Sequence, residues 1–163
     1  MTPGGYSLNA VAYTASSSST AYAVGTNGTI LESTDSGSTW SAQTSGTTEL
    51  LEGVAFAGTM GFAVGAGGTI LATTDGSTWS AQTSGTTENL TSVALGGYCL
   101  SNGLGVCVLA AGAAGTVVEF TSTWTRLTSV TSADLNGLAL LGGSTPEYFA
   151  AGTGGTIASG YSS

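Results

Sequence analysis

Short apolar runs separated by turn-forming residues recur along the whole chain. In the first unit such runs occupy residues 8–13, 21–24 and 29–33, and each is only four to six residues long. They are often apolar on both faces, and none continues into the three-and-four spacing of an amphipathic helix. The pattern therefore predicts an all-β protein made of short, evenly spaced strands.

A glycine-rich octapeptide marks an internal repeat. The sequence VGTNGTIL at residues 24–31 returns as VGAGGTIL at residues 64–71, and weaker copies follow at residues 111–118 and 151–158. Four short strands per unit of about 40 residues are typical of a β-propeller blade. We predict a single small β-propeller domain over residues 1–163. Its four blade-like repeats are residues 8–49, 50–88, 89–133 and 134–163.

The fourth unit ends before its tryptophan strand, which leaves two ways to close the ring. Residues 1–7 could supply the missing outer strand, so that one chain forms a four-bladed ring; the many small residues of the inner strands suit its tight centre. Alternatively, the open edge of one chain pairs with that of another and gives a larger ring or an array. We favour closure by the N-terminal segment.

The turn before the fourth strand carries a specific motif. Residues 33–40 have the form S-x-D-x-G-x-T-W, residues 73–79 repeat it one residue shorter, and the third unit keeps only its tryptophan, Trp124. A short carboxylate can accept hydrogen bonds from the backbone of its own turn, glycine relieves strain, and tryptophan packs beneath. We expect a structural role for these residues: Asp35, Gly37 and Trp40 in the first turn, and Asp75, Gly76 and Trp79 in the second.

These residues carry a family resemblance. The turn resembles the Asp-box of bacterial neuraminidase repeats. The wider pattern, L-x-x-V-A-F, then A-V-G-x-x-G-T-I-L, then T-x-D-G-S-T-W, is similar to the repeats of photosystem II stability and assembly factors. The resemblance implies four-stranded blades with structural Asp-box turns at their periphery. The resemblance does not imply either family's activity. Asp-box sialidases use three arginines and the assembly factors are associated with an arginine-rich patch, whereas this chain has a single arginine, Arg126.

Charge narrows the function further. The chain has nine acidic residues and no histidine or lysine, and Arg126 is its one basic residue, so the net charge is −8. A protein that binds nucleic-acid phosphates or an anionic membrane surface needs several lysines or arginines, and this chain has one. The usual general bases and imidazole ligands are missing, and the acids form neither a catalytic pair nor a calcium-loop spacing. We expect no enzymatic activity, cofactor or metal, and no nucleic-acid or membrane partner.

Six residues fall outside the repeat and are candidates for contact or cross-linking. Four tyrosines near loops or termini are candidates for an exposed contact surface: Tyr6, Tyr98, Tyr148 and Tyr161. Cys99 and Cys107 flank a seven-residue loop, and a hairpin there could bring them to bridging distance. The alternative is two reduced, partly buried thiols.

Three functions stay open. The favoured one is a non-enzymatic structural or attachment module of an extracellular particle, with a phage virion as the leading case, bound to other structural proteins or to itself. It is favoured by the almost base-free, Gly/Ser/Thr-rich sequence and by a start without a signal peptide's basic and apolar regions. The second is a lectin-like propeller that binds surface glycans through its tyrosines. The third is an intracellular assembly factor like the photosystem relatives.

Overall fold

The computed structural model describes residues 5–14, 19–96, 105–129, 131–141 and 147–161. Within these ranges the chain forms four antiparallel sheets, three of four strands and one of three, each with its strands in chain order. This is the all-β, four-bladed propeller arrangement that the repeats predict. The strands are β1 (Leu8–Tyr13), β2 (Ala21–Gly25), β3 (Ile30–Ser33), β4 (Ser41–Gln43), β5 (Leu51–Ala57), β6 (Met60–Gly65), β7 (Ile70–Thr73), β8 (Ser80–Gln82), β9 (Leu90–Gly96), β10 (Cys107–Gly112), β11 (Val117–Phe120), β12 (Trp124–Arg126), β13 (Leu135–Leu141), β14 (Glu147–Gly152) and β15 (Ile157–Tyr161).

A one-turn 3₁₀ segment joins the second and third strands of every blade. In the second blade it is Ala66–Gly68, and Gly68 has φ +71°. A Cβ at Gly68 would also overlap the carbonyl oxygen of Thr86, which belongs to the loop that leads to the third blade. Glycine is therefore required here both for its left-handed backbone and for the close approach of that loop.

The hydrophobic core lies between blades rather than within one sheet. In the first interface Val24 and Ile30 of blade 1 pack against Leu51 of blade 2. In the second, Val64 and Ile70 of blade 2 pack against Leu90 of blade 3. Both faces of an interior blade are thus buried, and this explains why its strands are apolar on both faces. Each such buried side chain stabilises the fold by about 1.5–3 kcal/mol.

The four blades form an open arc. The inner strands β1, β5, β9 and β13 contact one another in chain order. Within the described ranges, β1 has no packing of similar extent against any strand of the fourth blade. The first blade therefore leaves one face uncovered, and the fourth blade leaves the opposite face uncovered.

The predicted closing segment behaves differently from the expectation. Residues 5–7, its described part, form no strand, and the Ser7 carbonyl instead accepts a hydrogen bond from the Thr26 backbone N–H at 2.9 Å. The segment is thus used by the turn of the first blade, and none of the described residues pairs with the outer edge of β15. Residues 1–4 lie outside the described residues.

Candidate functional site

Two equivalent grooves lie where the 3₁₀ turns meet the loops between blades. Each is lined by a 3₁₀ turn, the outer strand of the same blade and the loop that follows it. The first groove has a volume of about 630 Å³ and is lined by Tyr6 and residues 27–30 and 42–48. The second has about 700 Å³ and is lined by residues 46–47, 67–71 and 81–88 and by Arg126.

The floor of both grooves comes from one repeated segment, SAQTSGTTE, at residues 41–49 and 80–88. In the first copy the Ser45 hydroxyl donates to the Thr47 carbonyl at 3.2 Å and accepts from the Thr47 N–H at 3.4 Å. In the second copy Ser84 and Thr86 make the same pair of bonds at 3.1 and 3.4 Å. Identical side chains thus fix both loops in the same turn.

The glutamines of this segment differ between the two grooves. Gln43 in the first groove donates to Glu32 Oε2 at 2.8 Å, and Glu32 Oε1 accepts from the Tyr22 hydroxyl at 2.8 Å. The second blade has Ala72 where the first has Glu32. Gln82 consequently makes only long contacts with its neighbour Ser80, at 3.3 and 3.5 Å. The amide of Gln82 is therefore the less committed of the two.

Arg126 gives the second groove the one positive charge of the chain. It is exposed at the end of β12 and lines the same groove as the 3₁₀ turn of blade 2. The first groove has the half-exposed Tyr6 among its lining residues and no basic residue. The second groove can therefore pair with a carboxylate or a carbonyl oxygen, whereas the first offers mainly hydroxyls and an aromatic ring.

The side chains of the second groove are suited to binding a ligand through hydrogen bonds. Arg126 donates, the Gln82 amide both donates and accepts, and threonine hydroxyls surround them. Across the described ranges no three histidine, cysteine, aspartate or glutamate residues come together as a metal site would require. Such an arrangement can hydrogen-bond an extended polypeptide backbone or its polar side chains.

The first Asp-box turn is held by its own carboxylate. Asp35 Oδ1 accepts from the Thr39 N–H at 2.8 Å and from the Ser33 hydroxyl at 2.9 Å, and Oδ2 accepts from the Thr39 hydroxyl at 2.7 Å. The hydroxyl and backbone of Thr39 lower the pKa of Asp35 to about 2. Gly37 closes the turn with φ +86°.

The second Asp-box turn repeats this geometry with one residue fewer. Asp75 Oδ1 accepts from the N–H groups of Ser77 and Thr78 at 2.8 and 2.7 Å. These backbone bonds, that of Thr78 first, lower the pKa of Asp75 to about 2. A Cβ at Gly76 would overlap the Tyr22 hydroxyl of blade 1. The turn thus lies directly against the neighbouring blade.

The tryptophans that follow these turns lie in different surroundings. Trp79 is 8% exposed and meets Tyr22 edge to face, with ring centroids 6.2 Å apart. Trp40 is only half-buried, and its Nε1 donates to the Gly37 carbonyl at 3.2 Å. The difference follows from position, because blade 1 precedes Trp79 and no described blade precedes Trp40.

The four candidate contact tyrosines do not form one surface. Tyr6 lines the first groove, whereas Tyr161 is exposed on β15 at the end of the arc. Tyr148 is only 5% exposed, which corrects its assignment as a surface residue. It packs between blades 3 and 4, and burial there, followed by the charge of Glu119, raises the pKa of its hydroxyl. Tyr98 lies outside the described residues.

The structure describes only one of the two cysteines that could form the predicted disulfide. Cys107 is buried at the start of β10 and is disulfide-bonded. Cys99 lies outside the described residues, so its pairing with Cys107 stays a prediction.

Comparison with known proteins gives these repeats a family. The model described as photosynthesis system II assembly factor YCF48 matches residues 5–97, which is more than half of the chain. The chain belongs to the YCF48 assembly factor family. It also has the repeats of the Asp-box type that its motifs predict. No curated protein sequence matches it significantly.

Two solved YCF48 structures show the same fold. One, titled YCF48 bound to D1 peptide, is 21% identical, covers 97% of this chain and 51% of its own, and superposes with a TM-score of 0.71. The other, YCF48 from Cyanidioschyzon merolae, is 19% identical, covers 93% of this chain and 52% of its own, and has a TM-score of 0.69. The present chain thus spans about half the length of these YCF48 chains. In its described ranges no helix has the length and apolarity needed to cross a bilayer.

Sequence patterns did not point to the second groove. Arg126 and Gln82 are 44 positions apart and line one groove only because blades 2 and 3 are neighbours. The available signal was the repeated nine-residue segment, whose two copies line both grooves.

Proposed function

We propose that the chain is a non-enzymatic binding propeller of the photosystem II assembly type, which holds an extended polypeptide in the second groove. The family assignment favours this function over the virion module and over the lectin-like propeller, because no comparison supports either of those two. We accordingly place its action where photosystem II is assembled, rather than on a particle outside the cell.

The observation that carries the proposal is that Arg126 and Gln82, whose amide makes only long hydrogen bonds, line the same groove. A guanidinium and a side-chain amide together can bind a carboxylate and a backbone amide of the same peptide. A related family member of the same fold is described as bound to a D1 peptide, so a peptide is the ligand class we assign to this groove.

This chain departs from its family in charge, and the departure shapes the proposal. The related assembly factors are associated with an arginine-rich patch, whereas here Arg126 stands alone in a chain of net charge −8. Affinity must therefore come mainly from hydrogen bonds in the groove, and long-range attraction favours peptides with few acidic residues.

The direct test is the binding of a D1 peptide to the chain and to an Arg126→Gln variant, measured by isothermal titration calorimetry. Hydrogen bonds to a charged group contribute about 1.5–3 kcal/mol, so we expect the variant to bind at least tenfold more weakly. Arg126→Lys keeps the charge but not the planar fork, and we expect it to bind with intermediate affinity.

The repeated segment provides a matched control. Gln82→Ala should weaken peptide binding, while Gln43→Ala, the same change in the first groove, should leave it unaltered. No detectable binding by the unaltered chain would overturn the proposed function. Equal losses from both glutamine variants would show that the second groove is not the site.

A further inference from the structure

The first two interior interfaces of the arc repeat one aromatic arrangement. In blades 1 and 2 an aromatic residue lies three positions before the glycine that ends the second strand, and it meets the tryptophan of the next blade edge to face. Tyr22 meets Trp79 with ring centroids 6.2 Å apart and planes at 70°. Phe62 meets Trp124 at 5.6 Å and 81°. Such pairs stabilise an interface beyond the contribution of the apolar area they bury.

The two ends of the arc carry the unmatched members of this series. Phe149 of blade 4 occupies the position of Phe62: Phe62 pairs with alanines on both sides in the sheet, and Phe149 pairs with Ala139 and Ser159. Phe149 is 39% exposed. Trp40 of blade 1 occupies the position of Trp79 and borders an apolar groove of about 420 Å³ together with Leu8 and Val11.

A second aromatic pair is divided in the same way. In the first interface Tyr22 also stacks on Phe56 of the next blade, with centroids 4.4 Å apart and planes at 19°. The residue of blade 1 equivalent to Phe56 is Tyr13, which pairs with β2 as Phe56 pairs with β6 and is 61% exposed. At the two ends of the arc Phe149 therefore occupies the position of Tyr22, and Tyr13 occupies the position of Phe56. Together they could form the same stacked pair, with phenylalanine and tyrosine in each other's places.

The aliphatic residues of the end faces are exposed in the same way as the aromatic ones. Ile157 of blade 4 is 79% exposed, although its equivalent Ile70 is 1% exposed and packs against Leu90 and Val93 of the next blade. The equivalents of Leu90 and Val93 in blade 1 are Leu8 and Val11, both exposed. Each end face thus carries the side chains that an interior interface buries.

We propose that these two faces bind each other between two copies of the chain, blade 4 of each copy on blade 1 of the other. Two arcs related by a two-fold axis would then form a closed eight-bladed ring with two identical interfaces. Propellers of four to eight blades are known, and closure leaves no free blade face. Phe149 of one copy then contacts Tyr13 and Trp40 of its partner.

A second copy is the occupant that fits these faces best, because each face is missing the residues that the other supplies. The described large apolar side chains that are exposed lie in residues 6–13 or in the fourth blade: Tyr6, Leu8, Val11, Tyr13, Leu141, Phe149, Ile157 and Tyr161. Exposed apolar side chains gathered at two places in this way are typical of protein interfaces. The YCF48 chains continue for about as many residues beyond the aligned arc as a second copy would add.

Sedimentation equilibrium of the 163-residue chain tests the pairing. We expect a mass of twice 15.8 kDa. Val11→Lys and Ile157→Glu change residues that are exposed in the single chain, so both variants should fold. Each places an unpaired charge in the interface, and we expect each to raise the dimer dissociation constant on the order of a hundredfold.

Mixing the two variants distinguishes head-to-tail pairing from other associations. A Val11→Lys chain and an Ile157→Glu chain together form one unaltered interface and one Lys–Glu interface, so the mixture should recover dimers. Ala81→Glu, an equally exposed change on the outer strand of blade 2, should remain dimeric. A wild-type mass of 15.8 kDa at all concentrations, masses that grow without limit, or a mixture that stays monomeric would each overturn the proposal.

Discussion

Blades 2 and 4 contain the same tetrapeptide, Gly-Gly-Thr-Ile, in the same turn, yet they bury it differently. Ile70 of blade 2 is 1% exposed and Ile157 of blade 4 is 79% exposed. The local backbone is alike in both, with φ +71° at Gly68 and +73° at Gly155. The difference comes from the next blade, which is present for Ile70 and absent from the described chain for Ile157. In this fold the blade sequence sets the strands, and the neighbouring blade sets the burial.

The largest effect should come from truncating the two isoleucines. Ile70→Ala leaves a cavity between blades 2 and 3, and we expect a loss of about 2–5 kcal/mol in the free energy of unfolding. Ile157→Ala should change it by less than about 0.5 kcal/mol in the single chain. Urea denaturation in a Val11→Lys background measures both without self-association. Equal losses would contradict the role of the neighbouring blade.

The next effect separates backbone strain from steric overlap. Gly68→Ala and Gly155→Ala place a side chain in the same left-handed turn, but only the Cβ at position 68 would overlap a neighbouring loop, at Thr86. We expect Gly68→Ala to destabilise the chain by about 1–3 kcal/mol more than Gly155→Ala. Thermal unfolding of the two variants measures this difference, and similar melting temperatures would show that the loop yields.

A smaller effect concerns the strained alanine of blade 3. Ala114 has φ +51°, at the position where blade 2 has Gly67 with φ +60°. A left-handed alanine costs about 1–2 kcal/mol, so Ala114→Gly should stabilise the chain by about 1 kcal/mol. Gly67→Ala is the matched reverse change, since its Cβ would meet nothing within 4 Å. Chemical denaturation should show shifts of opposite sign, and shifts of the same sign would exclude backbone strain as their cause.

The smallest expected effect is a pH dependence of the exposed Asp-box turns. The pKa of both Asp35 and Asp75 falls from 3.8 to about 2 on folding. The folded chain therefore binds these protons less readily than the unfolded chain. Their stabilisation is present above about pH 4 and is lost as the pH falls toward 2.

A double Asp35→Asn, Asp75→Asn variant isolates this contribution from the other acidic residues. Unfolding should be followed from pH 5 to pH 2 for both proteins. The stability of the variant should fall less steeply than that of the parent. Parallel curves would show that the two carboxylates do not stabilise the folded state through their charge.

Much of the fold was predictable because it is encoded locally. Strand β1 has the predicted bounds, and the other inner strands each begin one residue after the start of a predicted repeat. Turn chemistry made this possible, since a glycine with positive φ and an aspartate bonded to its own turn depend on neighbours in sequence. The range that the family model matches, residues 5–97, contains both Asp-box turns.

Side-chain burial and groove lining depend on neighbouring blades, so local sequence patterns did not predict them. Tyr148 was predicted to be at the surface because it falls outside the repeat pattern, but it lies at the position of Ala21 and Gly61, facing the preceding blade. Aligning the strand register across the repeats would have corrected this. The second groove joins Gln82 to Arg126 across two blades, and no local pattern links them.

Native mass spectrometry of the chain tests most directly whether burial comes from the neighbouring blade and whether the two end faces are complementary. We expect one dominant species at twice 15.8 kDa, and single chains for the Ile157→Glu variant. A single species at 15.8 kDa for the parent chain would contradict this expectation.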